Sequence, residues 1–100
     1  MLQQERRAER RYPVRQPAWI KVPGGEESRD IAATTENMST HGVLLRSPLA
    51  IPLGAKIELT LRLANGPQLR GTGEVLRVDP SVEESFLVAV SYDVPLKIFR

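Results

Sequence analysis

Ala55-Lys56-Ile57-Glu58-Leu59-Thr60-Leu61-Arg62-Leu63, followed by Ala64-Asn65-Gly66-Pro67, is the stretch that decides the fold. Ile57, Leu59, Leu61 and Leu63 alternate with Glu58, Thr60 and Arg62, the period of a strand with one face buried. Asn65-Gly66 is a strong hairpin signal, because the central positions of a tight hairpin turn need positive φ. The chain returns from Gln68 to Val78, so a long hairpin is expected. Outward from it, Ala18, Ile20 and Val22 share one face and Trp19 and Lys21 the other, before Pro23-Gly24-Gly25 turns the chain. A second strand starts near Arg29 and fades through Thr34, Thr35 and Glu36 into the turn-rich segment Asn37 to Gly42. Val43 to Leu45 is strongly apolar, and Ser85 to Tyr92 aligns Phe86, Val88, Val90 and Tyr92 on one face. Trp19, opposite Ile20, reads as barrel packing. Six short strands with antiparallel connections predict an all-β fold, a small six-stranded antiparallel β-barrel, since closure removes edges that so small a domain cannot otherwise cover.

One hundred residues, 41% apolar and 26% charged with a net charge of +2, suit one packed domain and not a disordered chain. No apolar run approaches the roughly 18 residues of a membrane span, so no membrane insertion is expected. Met1 to Arg11 is polar and arginine-rich, unlike a signal peptide, which points to a cytoplasmic protein. The absence of cysteine and the single histidine exclude a disulfide framework, a thiolate or multi-histidine metal site and a cysteine nucleophile. Neither a metal nor a cofactor is expected.

Charge is unevenly placed. Residues 1–15 carry Arg6, Arg7, Arg10, Arg11 and Arg15 against Glu5 and Glu9, while the remainder is close to neutral. Eleven of the basic residues are arginine and three are lysine, and the guanidinium fork matches phosphate oxygens and the guanine edge bidentately. The expected organisation is a flexible arginine-rich N-terminal arm over 1–14, a barrel over 15–94 and a short C-terminal tail over 95–100. Gln3 to Arg11 is compatible with a short helix ended by Pro13, and the tail is too short for a helix of its own. A basic terminal run also reads, more simply, as a solvated tail.

Two motifs stand in this frame: Arg7-Ala8-Glu9-Arg10-Arg11, an Arg-x-x-x-Arg, and Asn37-Met38-Ser39-Thr40-His41-Gly42, an Asn-x-Ser-x-x-Gly. The pair resembles the PilZ domain family, and the likeness runs from about Glu5 to Asp93, including Gly73 to Val78 and Val88 to Val90. The resemblance implies a six-stranded barrel that binds the second messenger cyclic di-GMP, with an arginine motif before the first strand and the second motif inside the barrel sequence. On it, the ligand-binding residues are Arg7, Arg11, Asn37, Ser39 and Gly42, with Arg6 and Arg10 as the competing arginine frame and His41 nearby. Asn37 stands where the family commonly has aspartate, and the chain stops without the family's usual C-terminal helix. The ligand is expected to bind as one molecule or as an intercalated dimer, whose second molecule a basic residue near the pocket could touch. Arg15, Arg46 and Arg77 otherwise read as solvated strand positions.

The chemistry is consistent with that assignment. A spacing of four puts Arg7 and Arg11 on one side of either a helix or an extended strand. Their guanidinium groups can pair with guanine, stack on it or neutralise phosphate. The Asn37 amide and Ser39 hydroxyl can donate and accept at short range, and Gly42 permits a sharp turn or a close backbone approach. Asn37 and Ser39 equally fit ordinary turn residues bonded to the local backbone. Ser39 with His41 lacks a third orienting group, so no enzyme is expected. The expected function is a cyclic di-GMP receptor module whose arm closes over the ligand and signals to an unidentified protein partner, as a monomer or weak dimer. The alternatives are a PilZ-like interaction module that binds no nucleotide and a small nucleic-acid-binding barrel. Against the latter, the few aromatic residues offer no clear surface pair for stacking bases.

Overall fold

The period-two stretches become strands in the computed structural model of the chain, which describes residues 15–23, 30–63 and 66–94 together with the backbone of 97–99. The order is β1 (Pro17–Lys21), β2 (Asp30–Met38), β3 (Gly42–Ser47), β4 (Lys56–Arg62), β5 (Gln68–Pro80), β6 (Phe86–Tyr92) and β7 (Lys97–Phe99). Among the described residues there is no helix. The sheet runs β4-β1-β2-β3-β6-β5, all antiparallel, and β5 pairs back onto β4, so six strands close into a barrel as expected. Lys97–Phe99, expected to be part of a tail, instead pairs with Gln68–Arg70 of β5. Three residues suffice there because β5 outruns its β6 partner at that end and leaves ladder groups to satisfy.

The alternation that marked β4 decides which way its side chains face. Ile57, Leu59 and Leu61 are buried and Lys56, Glu58 and Arg62 are exposed. From the other strands Ala18, Ile20, Val43, Leu45, Val75, Val88 and Val90 complete the core, with Ile51 of the β3–β4 connection buried alongside. Burying each Leu, Ile or Val contributes about 1.5–3 kcal/mol. The long β4–β5 hairpin forms in register from Lys56↔Glu74 to Arg62↔Gln68, and Gly66 at its tip has φ +109°.

β5 is long because it carries the barrel ladder from β4, along 68–74, to β6, along 73–80, with β7 added beside 68–70. Gly73 sits where the two ladders overlap. A Cβ there would lie 2.6 Å from the Ser91 carbonyl oxygen, so the close backbone approach at this corner requires glycine. Two β-bulges interrupt the ladders, at Glu36 in the β2–β3 pair and at Leu76 in the β5–β6 pair.

Three expectations need correction. Asn37 and Met38 belong to β2, because the ladder resumes past the bulge as Asn37↔Leu44 and Met38↔Val43, leaving only Ser39-Thr40-His41 as the turn. Trp19 points away from the core, since Ala18 and Ile20 take the inward positions of β1; its ring lies half-buried with the Arg62 guanidinium 5.7 Å from its centroid. Arg46 is not simply solvated. Its Nε donates to Glu36 Oε2 at 2.8 Å and its Nη1 donates to Ser81 Oγ at 2.9 Å and Ser85 Oγ at 3.1 Å. The bulge turns Glu36 toward β3 and makes that arrangement possible.

Candidate ligand groove

The bulges shape the outer surface of the barrel. In a regular strand successive side chains alternate between faces, but an extra residue lets two neighbours share one. At β2 this keeps Glu36 near Arg46 while Asn37 takes its place opposite Leu44. At β5 it leaves Leu76 and Arg77 both exposed. Between the two bulges lie the outward positions of β3 and β6. The result is a groove of about 580 Å³, floored by Leu44, Ala89 and Ser91 and flanked by Asn37, His41 and Gly42 on one side and Leu76 and Arg77 on the other. Its volume falls in the usual range of small-ligand sites. Among the described residues that line it there is no carboxylate, and Arg77 is its cationic side chain, so these walls favour an anion.

Ser39 works behind this wall. Its N–H donates to the Gly42 carbonyl at 2.9 Å and its hydroxyl accepts from the Gly42 N–H at 3.2 Å, closing the β2–β3 turn. That is the turn role its residue type also allows. Gly42 has a second constraint: a Cβ would lie 2.5 Å from the Val90 carbonyl oxygen, so only glycine lets β3 approach β6 here. The Tyr92 N–H donates to the His41 carbonyl at 2.9 Å and ties the exposed turn to β6. The structure thus brings Asn37, His41 and Gly42 to one groove and assigns Ser39 to the turn that holds them.

The N-terminal chain enters the barrel beside the same motif. Gln16 pairs with Thr35 twice, its carbonyl accepting from the Thr35 N–H at 2.9 Å and its N–H donating to Thr35 Oγ1 at 2.8 Å. Thr35 is fully buried, so this anchor is firm. Arg15 Nη2 lies 3.6 Å from Glu36 Oε1. Followed toward the N-terminus, the chain runs antiparallel to β2, from Pro17 opposite Thr34 toward the Asn37 end. Arg6, Arg7, Arg10 and Arg11 lie outside the described residues.

The groove residues that sequence reasoning missed are Leu44, Leu76, Ala89 and Ser91, together with the placing of Arg77 on the wall. Strand alternation puts Leu44, Ala89 and Ser91 on the outer face, but only the bulges and the β3–β6 and β5–β6 registers make them neighbours. A second outer concavity, about 320 Å³, runs along Ala32, Thr34 and Arg46 to Glu83 and Glu84. Those carboxylates make it the poorer seat for an anion. Elsewhere, Lys56 Nζ meets Asp93 Oδ1 at 3.0 Å and the Thr72 hydroxyl donates to Asp93 Oδ2 at 2.8 Å. The hydrogen bond and charge of Asp93 raise the pKa of Lys56, and the bonds from Lys56 and Thr72 lower that of Asp93. This cluster ties the end of β6 to the start of β4.

The described residues thus form a closed barrel with an external groove, and the chain enters that barrel beside the end of β2 that carries Asn37. The family follows from the sequence match: the PilZ domain model fits residues 4–97, and the chain belongs to that family. No curated protein matches it. Among solved structures it is similar to that of the Bacillus subtilis inhibitor of motility (MotI/DgrA), with a TM-score of 0.72 at 20% identity over 90% of this chain and 44% of that one. At that identity the likeness is one of fold, and this chain spans less than half of the other protein. Among the described residues no helix is long and apolar enough to cross a membrane.

Proposed function

We propose that this domain is a cyclic di-GMP receptor, without catalytic activity of its own, in which the arginine arm closes over a ligand seated in the groove. The observation that carries the reading is the convergence of two independent features: Asn37, His41 and Gly42 of the Asn-x-Ser-x-x-Gly motif form one wall of the groove, and the chain that carries Arg-x-x-x-Arg further upstream enters the barrel beside that wall. Four residues span at most about 14 Å, so Arg11 stays close to its anchor at Arg15, and Arg7 lies within about 28 Å of it. The proposal requires both to reach the groove.

Within it, Asn37 offers its amide to a guanine edge, His41 and Gly42 bound the same wall, and Leu44, Leu76 and Ala89 provide an apolar surface for a base. The arm arginines supply charge for the phosphates and planar faces for stacking. Ordering of the arm on the ligand is the signal, read by a protein partner. The test is calorimetric titration with cyclic di-GMP, with GMP and cyclic di-AMP as controls. Binding at micromolar affinity or tighter is expected, with Arg7→Ala and Arg11→Ala each weakening it by roughly ten- to a hundredfold. A folded barrel that ignores the dinucleotide would refute the receptor and favour an interaction module.

A further inference from the structure

Arg77 is the cationic side chain on the groove wall opposite His41, and it is already engaged. Its Nε donates to Asp79 Oδ2 at 2.9 Å, and both side chains are more than half exposed. The register explains why the engagement matters. Arg77 lies opposite Ala89, which belongs to the groove, whereas Asp79 lies opposite Leu87, one outward position nearer the β5–β6 turn. The pair therefore holds the guanidinium toward the groove's edge, and the small Ala89 side chain leaves room for it to swing inward. The bulge at Leu76 matters too, because it places both Leu76 and Arg77 on the exposed side at this point.

We propose that Arg77 is a further anion-binding group of the groove and that Asp79 is its built-in competitor, which a phosphate-bearing ligand must displace. The proposal rests on the cyclic di-GMP reading and deepens it, because it makes the threshold of the site depend on a residue outside the groove. An exposed carboxylate holds arginine weakly. A phosphodiester carries the same single negative charge but can take two guanidinium N–H groups at once, against the one Nε bond to Asp79, so the exchange favours the ligand. Asp79 then lowers affinity by the strength of the pair it forms, and discriminates against ligands that place no phosphate within reach of Arg77.

The experiment is a calorimetric titration with cyclic di-GMP of the wild-type chain, Asp79→Asn, Arg77→Gln and the double variant. Asp79→Asn should tighten binding by about two- to fivefold, the range in which exposed pairs act. Arg77→Gln should weaken it several-fold, and the double variant should match Arg77→Gln, because Asp79 has no other route to the ligand. Thermal midpoints should be nearly unchanged, both side chains being exposed. Wild-type binding that neither single variant alters would overturn this inference and leave the receptor reading standing. So would tightening by Asp79→Asn that persists without Arg77, since Asp79 would then act merely as a distant charge. No binding by the wild-type chain would remove the receptor reading and this inference with it.

Discussion

The two faces of the β3–β6 pair are built from alternate residues of the same strands and do different work. Inward, Val43, Leu45 and Ser47 of β3 meet Val88 and Val90 of β6, all buried. Outward, Gly42, Leu44 and Arg46 stand beside Leu87, Ala89 and Ser91, all half-buried. Sharing one backbone, the faces differ by one step along the chain. Packing is concentrated on the inner face, and the proposed function puts recognition on the outer one, so substitutions at adjacent positions should have different consequences.

The sharpest way to break that division is to compare Leu45→Ala with Leu44→Ala. Leu45 is fully buried and its truncation should cost about 3 kcal/mol, through lost transfer energy and a residual cavity. Leu44→Ala should cost less than about 1 kcal/mol while weakening cyclic di-GMP binding. Urea unfolding and ligand titration separate the two, and equal losses of stability would contradict the division.

Gly42 tests its boundary, since it faces the groove yet is constrained by packing. Gly42→Ala should destabilise the fold by about 2 kcal/mol, because the new methyl meets the Val90 backbone rather than a side chain that could rotate away. Denaturation with and without ligand would reveal whether the same change also opens the groove wall.

A gain in stability is expected at the β5–β6 turn, away from both faces. Glu83 and Glu84 have φ of 59° and 55°, in the left-handed region that side chains disfavour, with the Ser85 N–H donating to the Val82 carbonyl across them. Replacing them with Asn-Gly should stabilise the domain by about 1 kcal/mol and leave ligand binding unchanged. Altered affinity would show that this turn communicates with the groove.

The smallest effect belongs to Asp93. Its pKa is lowered in the folded state, first by the hydrogen bond from Lys56, so its contribution is present above the unfolded carboxylate value and is lost as pH falls through the folded one. The melting temperature of Asp93→Asn should lie slightly below that of the wild type at neutral pH and converge with it below about pH 4. A gap that persists in acid would mean that Asp93 acts through shape and not charge.

Most of the fold was legible because period-two alternation is a local property. Ile57, Leu59 and Leu61 declared their inward face without reference to any partner, and so did Val88 and Val90. Bulges have no such signature: nothing in Thr35-Glu36-Asn37 or Val75-Leu76-Arg77 announces that two residues will oppose one. For that reason the sequence placed Asn37 in a turn and left Arg46 in solvent, where the structure has a strand and a hydrogen-bonded ion pair. The alternation put Trp19 on the face opposite Ile20, as the structure has it, but reading it as barrel packing missed that the outer face covers it only in part, beside Arg62.

The sequence by itself determined that the chain is all-β, where its long hairpin lies, that arginine is concentrated ahead of β1, and that the chain turns within the Asn-x-Ser-x-x-Gly motif. All of these are set by the order and type of neighbouring residues. Only the tertiary structure decided that β5 would pair with β4, β6 and β7, that Gly42 and Gly73 must stay bare against the β6 backbone, and that Asn37, Leu44, Ala89 and Arg77 would face one groove. Those outcomes depend on the register between strands far apart in the chain, which is selected when the inward side chains pack together and the barrel closes.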